Sequence, residues 1–257
     1  MSTKEIEIPV GKTVGSVSGI LDRPAGARAI LALAHGAGAG MRHPFMESIA
    51  ARLAERGVAT LRYHFPYMEH GVRRPDPPGI LLATVRVAAA RAQEEGLPLF
   101  AGGKSLGGRM TSTAASTAAS TSSAAKASRA ATASSAGRAS RAESTGSLPD
   151  VKGIVFFGFP LHAPGRPSSD RAEHLERVAV PMLFLQGTRD ALADLDLLRP
   201  VVERLGKRAS LHVIEGADHS FRVPKRAGRS DAEVLDELAE VAAAWIDRVV
   251  GTARQRR

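Results

Sequence analysis

Cysteine is absent from this chain, which removes disulfides, thiolate metal sites and a cysteine nucleophile in one step. Aromatic residues are scarce. One Trp and two Tyr leave little to stack on bases, and no nucleic-acid-binding motif is present. No apolar run is long enough to span a bilayer. The N-terminus, MSTKEIEIPVGK, alternates charged with apolar residues where a secretory signal needs a hydrophobic core. Acidic charge is in deficit, with 26 Asp and Glu against 35 Lys and Arg, but the basic residues are scattered and read as a solvated basic surface. These absences lead us to expect a cytoplasmic protein with neither a membrane nor a specific nucleic acid as partner. They leave the oligomeric state open.

What is present is enough for one sizeable core. The 257 residues are 44% hydrophobic, and a single domain over 1–257 is expected. Glu5–Val10 and Val14–Leu21 alternate like half-exposed strands around a Gly-containing turn, which predicts an opening antiparallel hairpin. The pattern then changes to continuous apolar runs separated by helical spacing. Strands are predicted at Ala29–Ala34, Val58–Tyr63, Leu97–Ala101, Gly153–Phe159, Pro181–Gln186 and Leu211–Ile214. Helices are predicted at Pro44–Arg56, Ile80–Glu95, Leu195–Leu205 and Asp231–Val249. The fold class is α/β: a mostly parallel sheet with an antiparallel N-terminal hairpin and helices on both faces.

Residues 111–147 are almost wholly Ala, Ser and Thr. Ala114/Ala118 and Ala115/Ala119 have helical spacing, so the first part can continue a helix. Beyond Thr121 no bulky apolar residue offers an anchor, and about 121–147 is expected to be a flexible, exposed insertion, with a flap near the site as the alternative.

In a parallel sheet, function collects at the carboxyl ends of the strands. Four distinctive sequences fall there. The first is Gly102-Gly103-Lys104-Ser105-Leu106-Gly107-Gly108, whose Gly-x-Ser-x-Gly core is the signature of a nucleophile elbow, a sharp strand-to-helix turn that presents a serine hydroxyl. A phosphate-loop reading of Gly103-Lys104-Ser105 fails because the glycine it requires falls at Pro98. Lys104 is then expected to be an exposed residue of the elbow. The second is Gly187-Thr188-Arg189-Asp190, offering Asp190 as an orienting acid; Asp194 and Asp196 follow as alternatives or as caps of the next helix. The third is Gly216-Ala217-Asp218-His219, offering His219 as the base. The fourth is His35-Gly36-Ala37-Gly38, where the Ala37 amide could pair with the Leu106 amide as an oxyanion hole while His35 shapes the loop. The chain order Ser, Asp, His is that of α/β hydrolases. Gly38, Tyr67 and His162, each leaving a strand's carboxyl end, are candidate lining residues of a substrate pocket. His43, His64, His70 and His162 show no metal-ligand spacing, so no metal is expected.

Five segments, AHGAGAGMRHPFM, GGKSLGGRM, FFGFPLH, LFLQGTRDAL and EGADHSF, together resemble the α/β-hydrolase superfamily. More narrowly, they resemble its small dienelactone-hydrolase-like branch, which includes bacterial predicted hydrolases and relatives of the testis-expressed and NSL-complex-subunit proteins. The resemblance covers nearly the whole chain and implies an eight-stranded fold with Ser105, Asp190 and His219 at the triad positions. It departs in one residue of consequence: true dienelactone hydrolases have cysteine where Ser105 stands. The expected activity is esterase-like hydrolysis of a small-molecule ester, thioester or lactone through an acyl-enzyme on Ser105, with no cofactor. The alternative is a noncatalytic interaction module that retains the fold.

Overall fold

The computed structural model describes residues 1–72, 74–128 and 148–255. Its centre is an eight-stranded sheet in the order β1-β2-β4-β3-β5-β6-β7-β8. Strands β1 (Ser2–Gly11) and β2 (Gly15–Arg23) form the expected hairpin, and β2 joins the sheet antiparallel to β4 (Val58–Tyr63). From β4 onward every pairing is parallel, through β3 (Ala29–Ala34), β5 (Leu99–Lys104), β6 (Ile154–Phe157), β7 (Met182–Gly187) and β8 (Ala209–Ile214).

Parallel strands need helical crossovers, and these cover both faces. Strand β3 shows the consequence at residue level. Ile30, Ala32 and Ala34 join the core cluster that contains Leu81 and Val85 of α3 (Pro78–Gln93), Met110 and Ala114 of α4 (Leu106–Ser128), and Leu198 of α5 (Leu195–Leu205). Ala29, Leu31 and Leu33 join the opposite cluster, with Ile49 and Leu53 of α1 (Pro44–Glu55) and Val234, Leu238 and Trp245 of α6 (Asp231–Gln255). A run without polar alternation is therefore the correct pattern for this strand, since neither face meets water. A short helix, α2 (Pro66–Glu69), caps the end of β4. Among the described residues, no helix is long and apolar enough to cross a membrane.

Two boundaries differ from the sequence reading in ways that bear on function. Strand β5 continues past Ala101 through both glycines to Lys104. Glycine is a poor strand former, yet here it permits close approach: a Cβ on Gly102 would lie 2.1 Å from the Val155 carbonyl oxygen of β6. Helix α4 then continues to Ser128, so residues 121–128 of the segment read as an insertion are helical. The remainder of that expected insertion, 129–147, lies outside the described residues.

Candidate active site

The loops that follow β3, β5, β7 and β8 meet at one end of the sheet, with β3 and β5 adjacent at its centre. Ser105 is the turn between β5 and α4. Its φ of +50° is in the left-handed region, which a non-glycine residue adopts only when its surroundings enforce it. The enforcement is visible on both sides. A Cβ on Gly103 would lie 2.3 Å from the Ala34 carbonyl oxygen, and one on Gly107 would lie 2.4 Å from the same atom. The two glycines of the motif are therefore pressed against the last residue of β3, and the serine between them is displaced outward.

His219 Nε2 lies 2.8 Å from Ser105 Oγ, and His219 Nδ1 lies 2.7 Å from Asp190 Oδ2. Assigned from this network, Nδ1–H donates to the carboxylate and Nε2 accepts from the serine hydroxyl. Asp190 is well enclosed, its side chain only 1% exposed. Its Oδ1 accepts from the Leu192 amide and its Oδ2 from the Gln186 side chain, so the carboxylate cannot turn away from the imidazole. Asp194 and Asp196 have no part in this chain of bonds. Asp194 caps α5 by accepting from the Asp196 amide.

Gln186 has no counterpart in the sequence reading. Buried at the end of β7, it accepts from the Phe159 amide while donating to Asp190, and so fixes the acid relative to the loop after β6. A buried glutamine following an apolar strand is the signal that could have revealed it, because a buried amide needs partners.

The loop carrying His219 is built from its own backbone. Asp218 accepts from the amides of Ser220 and Arg222, and Phe221 sits at φ +62° with its ring buried against Phe45. Asp218 thus supports the loop, and no hydrogen bond joins it to the imidazole among the described residues.

The β3 loop is held from several directions. His35 donates from Nδ1 to the Gly36 carbonyl and accepts at Nε2 from the Phe65 amide, a pattern available only to the neutral ring. Burial pushes its pKa down to about 4. Arg62, paired with Asp22 in the core, donates to the Met41 carbonyl. Neither the Ala37 amide nor the Leu106 amide donates to any group among the described residues. Leu106 is the first residue of α4, where backbone amides have no intrahelical partner.

A cleft of about 310 Å³ opens over Ser105, lined by Ala37, Phe45, Met46, Leu192 and His219, among others. Gly38, Tyr67 and His162 do not line it, correcting the sequence expectation. The Gly38 amide donates to the Tyr67 hydroxyl, which ties both residues into the loop's support. His162 accepts from the Asp194 amide and holds the turn leading into α5. The lining comes instead from the start of α1. His43, dismissed as a metal ligand, belongs to it and caps that helix by accepting from the Phe45 amide. Lys104 is the other correction. It is 9% exposed, not an exposed elbow residue, because the last position of a central strand points beneath the surrounding loops. Among the described residues, no group of three or more His, Asp or Glu side chains could hold a metal ion.

The profile of a family described as an alpha/beta hydrolase domain matches residues 27–247. The chain belongs to the alpha/beta hydrolase family. Solved alpha/beta hydrolases superpose over nearly its whole length. A dienelactone hydrolase from Anabaena variabilis has a TM-score of 0.64 at 20% identity, covering 96% of this chain and 97% of its own. The esterase domain of a Rhodothermus marinus protein has 0.61 at 16%, covering 96% and 99%. A thermophilic esterase from Thermogutta terrifontis, solved with propionate bound, has 0.61 at 19%, covering 95% and 94%. At these identities the likeness establishes the fold.

Proposed function

We propose that this alpha/beta hydrolase is a serine hydrolase that cleaves a carboxylic ester, thioester or lactone. The observation that carries the reading is the unbroken line of hydrogen bonds from Ser105 through His219 to Asp190, set beside two unengaged amides. Ser105 Oγ attacks the substrate carbonyl carbon as its proton passes to His219 Nε2, and Asp190 stabilises the imidazolium. The carbonyl oxygen, now negative, is received by the amides of Ala37 and Leu106; each such donor is worth about 3 kcal/mol in the transition state. His219 returns the proton to the leaving oxygen or sulfur, giving an acyl-serine. Water activated by the same imidazole then releases the acid and restores the serine.

The names of the structural neighbours, esterases and a dienelactone hydrolase, agree with this reaction class. A cleft of about 310 Å³ with apolar walls is at the small end of ligand pockets and favours a short acyl group. A fluorophosphonate probe should label the wild-type protein and leave Ser105→Ala unlabelled. Folded wild-type protein that resists labelling would overturn the assignment. Across p-nitrophenyl esters of increasing acyl length, kcat/KM should be greatest for the shortest chains; a maximum at long chains would refute the short-acyl specificity.

A further inference from the structure

Lys104 immediately precedes the serine, yet the reaction above makes no use of it. Its side chain runs beneath the site. The Cγ lies 3.6 Å from where a Cβ on Gly36 would stand, so the stem passes under the β3 loop. The ammonium ends near the rings of Phe45 and Phe221, 5.9 and 5.4 Å from their centroids. Gly158 separates it from the base. A Cβ there would lie 3.1 Å from Lys104 Nζ and 3.5 Å from both Cε1 and Nδ1 of His219. Although Nζ is buried, it has no hydrogen-bond partner among the described residues.

An enclosed ammonium without a partner is costly, so what faces it matters. The charged and titratable groups around it are Asp190 after β7, Asp218 and His219 after β8, and His43 at the start of α1. Gly36 of the β3 loop and Gly158 of the β6 loop both approach the lysine side chain. Asp190 is the group with most need of a counter-charge. Its carboxylate is buried, and the resting mechanism requires its hydrogen-bonded partner, His219, to be neutral.

We propose that Lys104 is a positioning residue whose buried ammonium is the fixed counter-charge to the Asp190 carboxylate and thereby keeps His219 unprotonated and ready to act as base. Without that charge, the proton that balances Asp190 resides on the imidazole, where it blocks attack by Ser105. A cation beside the ring opposes that protonation, and in a site shielded from water the effect is large. Burial pulls the lysine's own pKa down to about 8, while Asp190 and Asp218 act in the opposite direction. The counter-charge is therefore in place across the neutral range and fades above it. This inference rests on the serine-hydrolase reading.

The test is the pH dependence of kcat/KM for p-nitrophenyl acetate. In Lys104→Met the acid-side fall in activity should move to higher pH by about one unit. The deficit relative to wild type should be roughly tenfold near pH 6 and should close above pH 8. A chain without cysteine allows a direct restoration. Lys104→Cys, alkylated while unfolded with 2-bromoethylamine and refolded, regains an ammonium of nearly the same length. Alkylation with 1-iodopropane gives the neutral shape. Wild type carried through the same refolding is the reference. The aminoethyl form should recover the wild-type acid limb and the propyl form should not. An unmoved acid limb in Lys104→Met, or equal recovery by both alkylated forms, would assign Lys104 a packing role only. Fluorophosphonate labelling at Ser105 keeps the two readings separable, because labelled protein with an unmoved limb sinks the counter-charge and spares the hydrolase.

Discussion

Lys104 loses its water on folding and finds no hydrogen-bond partner among the described residues, so its presence costs stability whenever it is charged. The sign follows from the two pKa values, about 8 folded against an ordinary 10.5. Below pH 8 both states are protonated and the full cost applies. Between 8 and 10.5 only the unfolded chain holds the proton, so stability rises with pH; above 10.5 the cost is gone. Lys104→Met, which keeps the apolar stem, should be more stable than wild type at pH 7 by up to about 3 kcal/mol, with the difference shrinking as pH rises from 8 to 10.5. Urea unfolding across that range measures it, and a variant less stable than wild type at pH 7 would contradict the burial cost. Stability gained where base function is lost is the exchange expected at a working site. The same residue marks a limit of sequence reading. Ser105, Asp190 and His219 were legible because each follows a strand within a glycine-rich turn. Lys104 and Gln186 were not, since their roles depend on depth beneath loops contributed by distant parts of the chain.

Among the elements, the strands were most legible where both faces are covered, because a buried parallel strand leaves a continuous apolar run, as at Ala29–Ala34. Strand β5 was cut short for the opposite reason. Its last positions are glycines selected for what their neighbours exclude, and that information lies in β3 and β6. The joint between β5 and α4 therefore makes its own prediction. Gly107→Ala is conservative by helix propensity and should stabilise an exposed helix. Here its methyl group would meet the Ala34 carbonyl oxygen at 2.4 Å, a backbone atom that cannot yield without moving β3. The substitution should destabilise the fold by roughly 1–3 kcal/mol, as overpacking does, and should lower activity further by shifting Ser105 from His219. Gly79→Ala is the control, a helical glycine of α3 with open space around it and no left-handed φ. If Gly107→Ala melted and hydrolysed like wild type, close packing of the elbow against β3 would not be what sets the serine's geometry.

For the molecule as a whole, acid unfolding should occur in two stages, because its buried histidines and its engaged carboxylates titrate in different windows. Burial pushes both His35 and His174 down to about 4; Arg109 and Arg177 add to the effect at His174. His35 joins the β3 loop to the end of β4, and His174 is hydrogen-bonded through Nε2 to Ser112 Oγ, joining the 3₁₀ segment Asp170–Arg177 to α4. Each is neutral when folded but takes up a proton near pH 6.5 when unfolded, so stability falls as pH drops from about 6.5 to 4. The fully buried His35 accounts for up to about 3 kcal/mol of that loss, and the more exposed His174 for less. The carboxylates follow later. Burial pushes Glu69, Glu95 and Glu237 up, but hydrogen bonds from Ser18, from Arg23 and Arg91, and from His212 and Arg229 outweigh it and hold them below 4.5. Their contributions persist until the pH falls below that value. His35→Gln separates the stages, since its side-chain oxygen can still accept from the Phe65 amide but does not titrate. Its unfolding free energy should decline less steeply than wild type between pH 6.5 and 4.5 and in parallel with it below. A wild-type curve flat through the upper window would mean that the neutral histidine is not what secures the β3 loop. The Ala37 amide would then owe its position to the other supports of that loop, Arg62, His64 and Tyr67 among them.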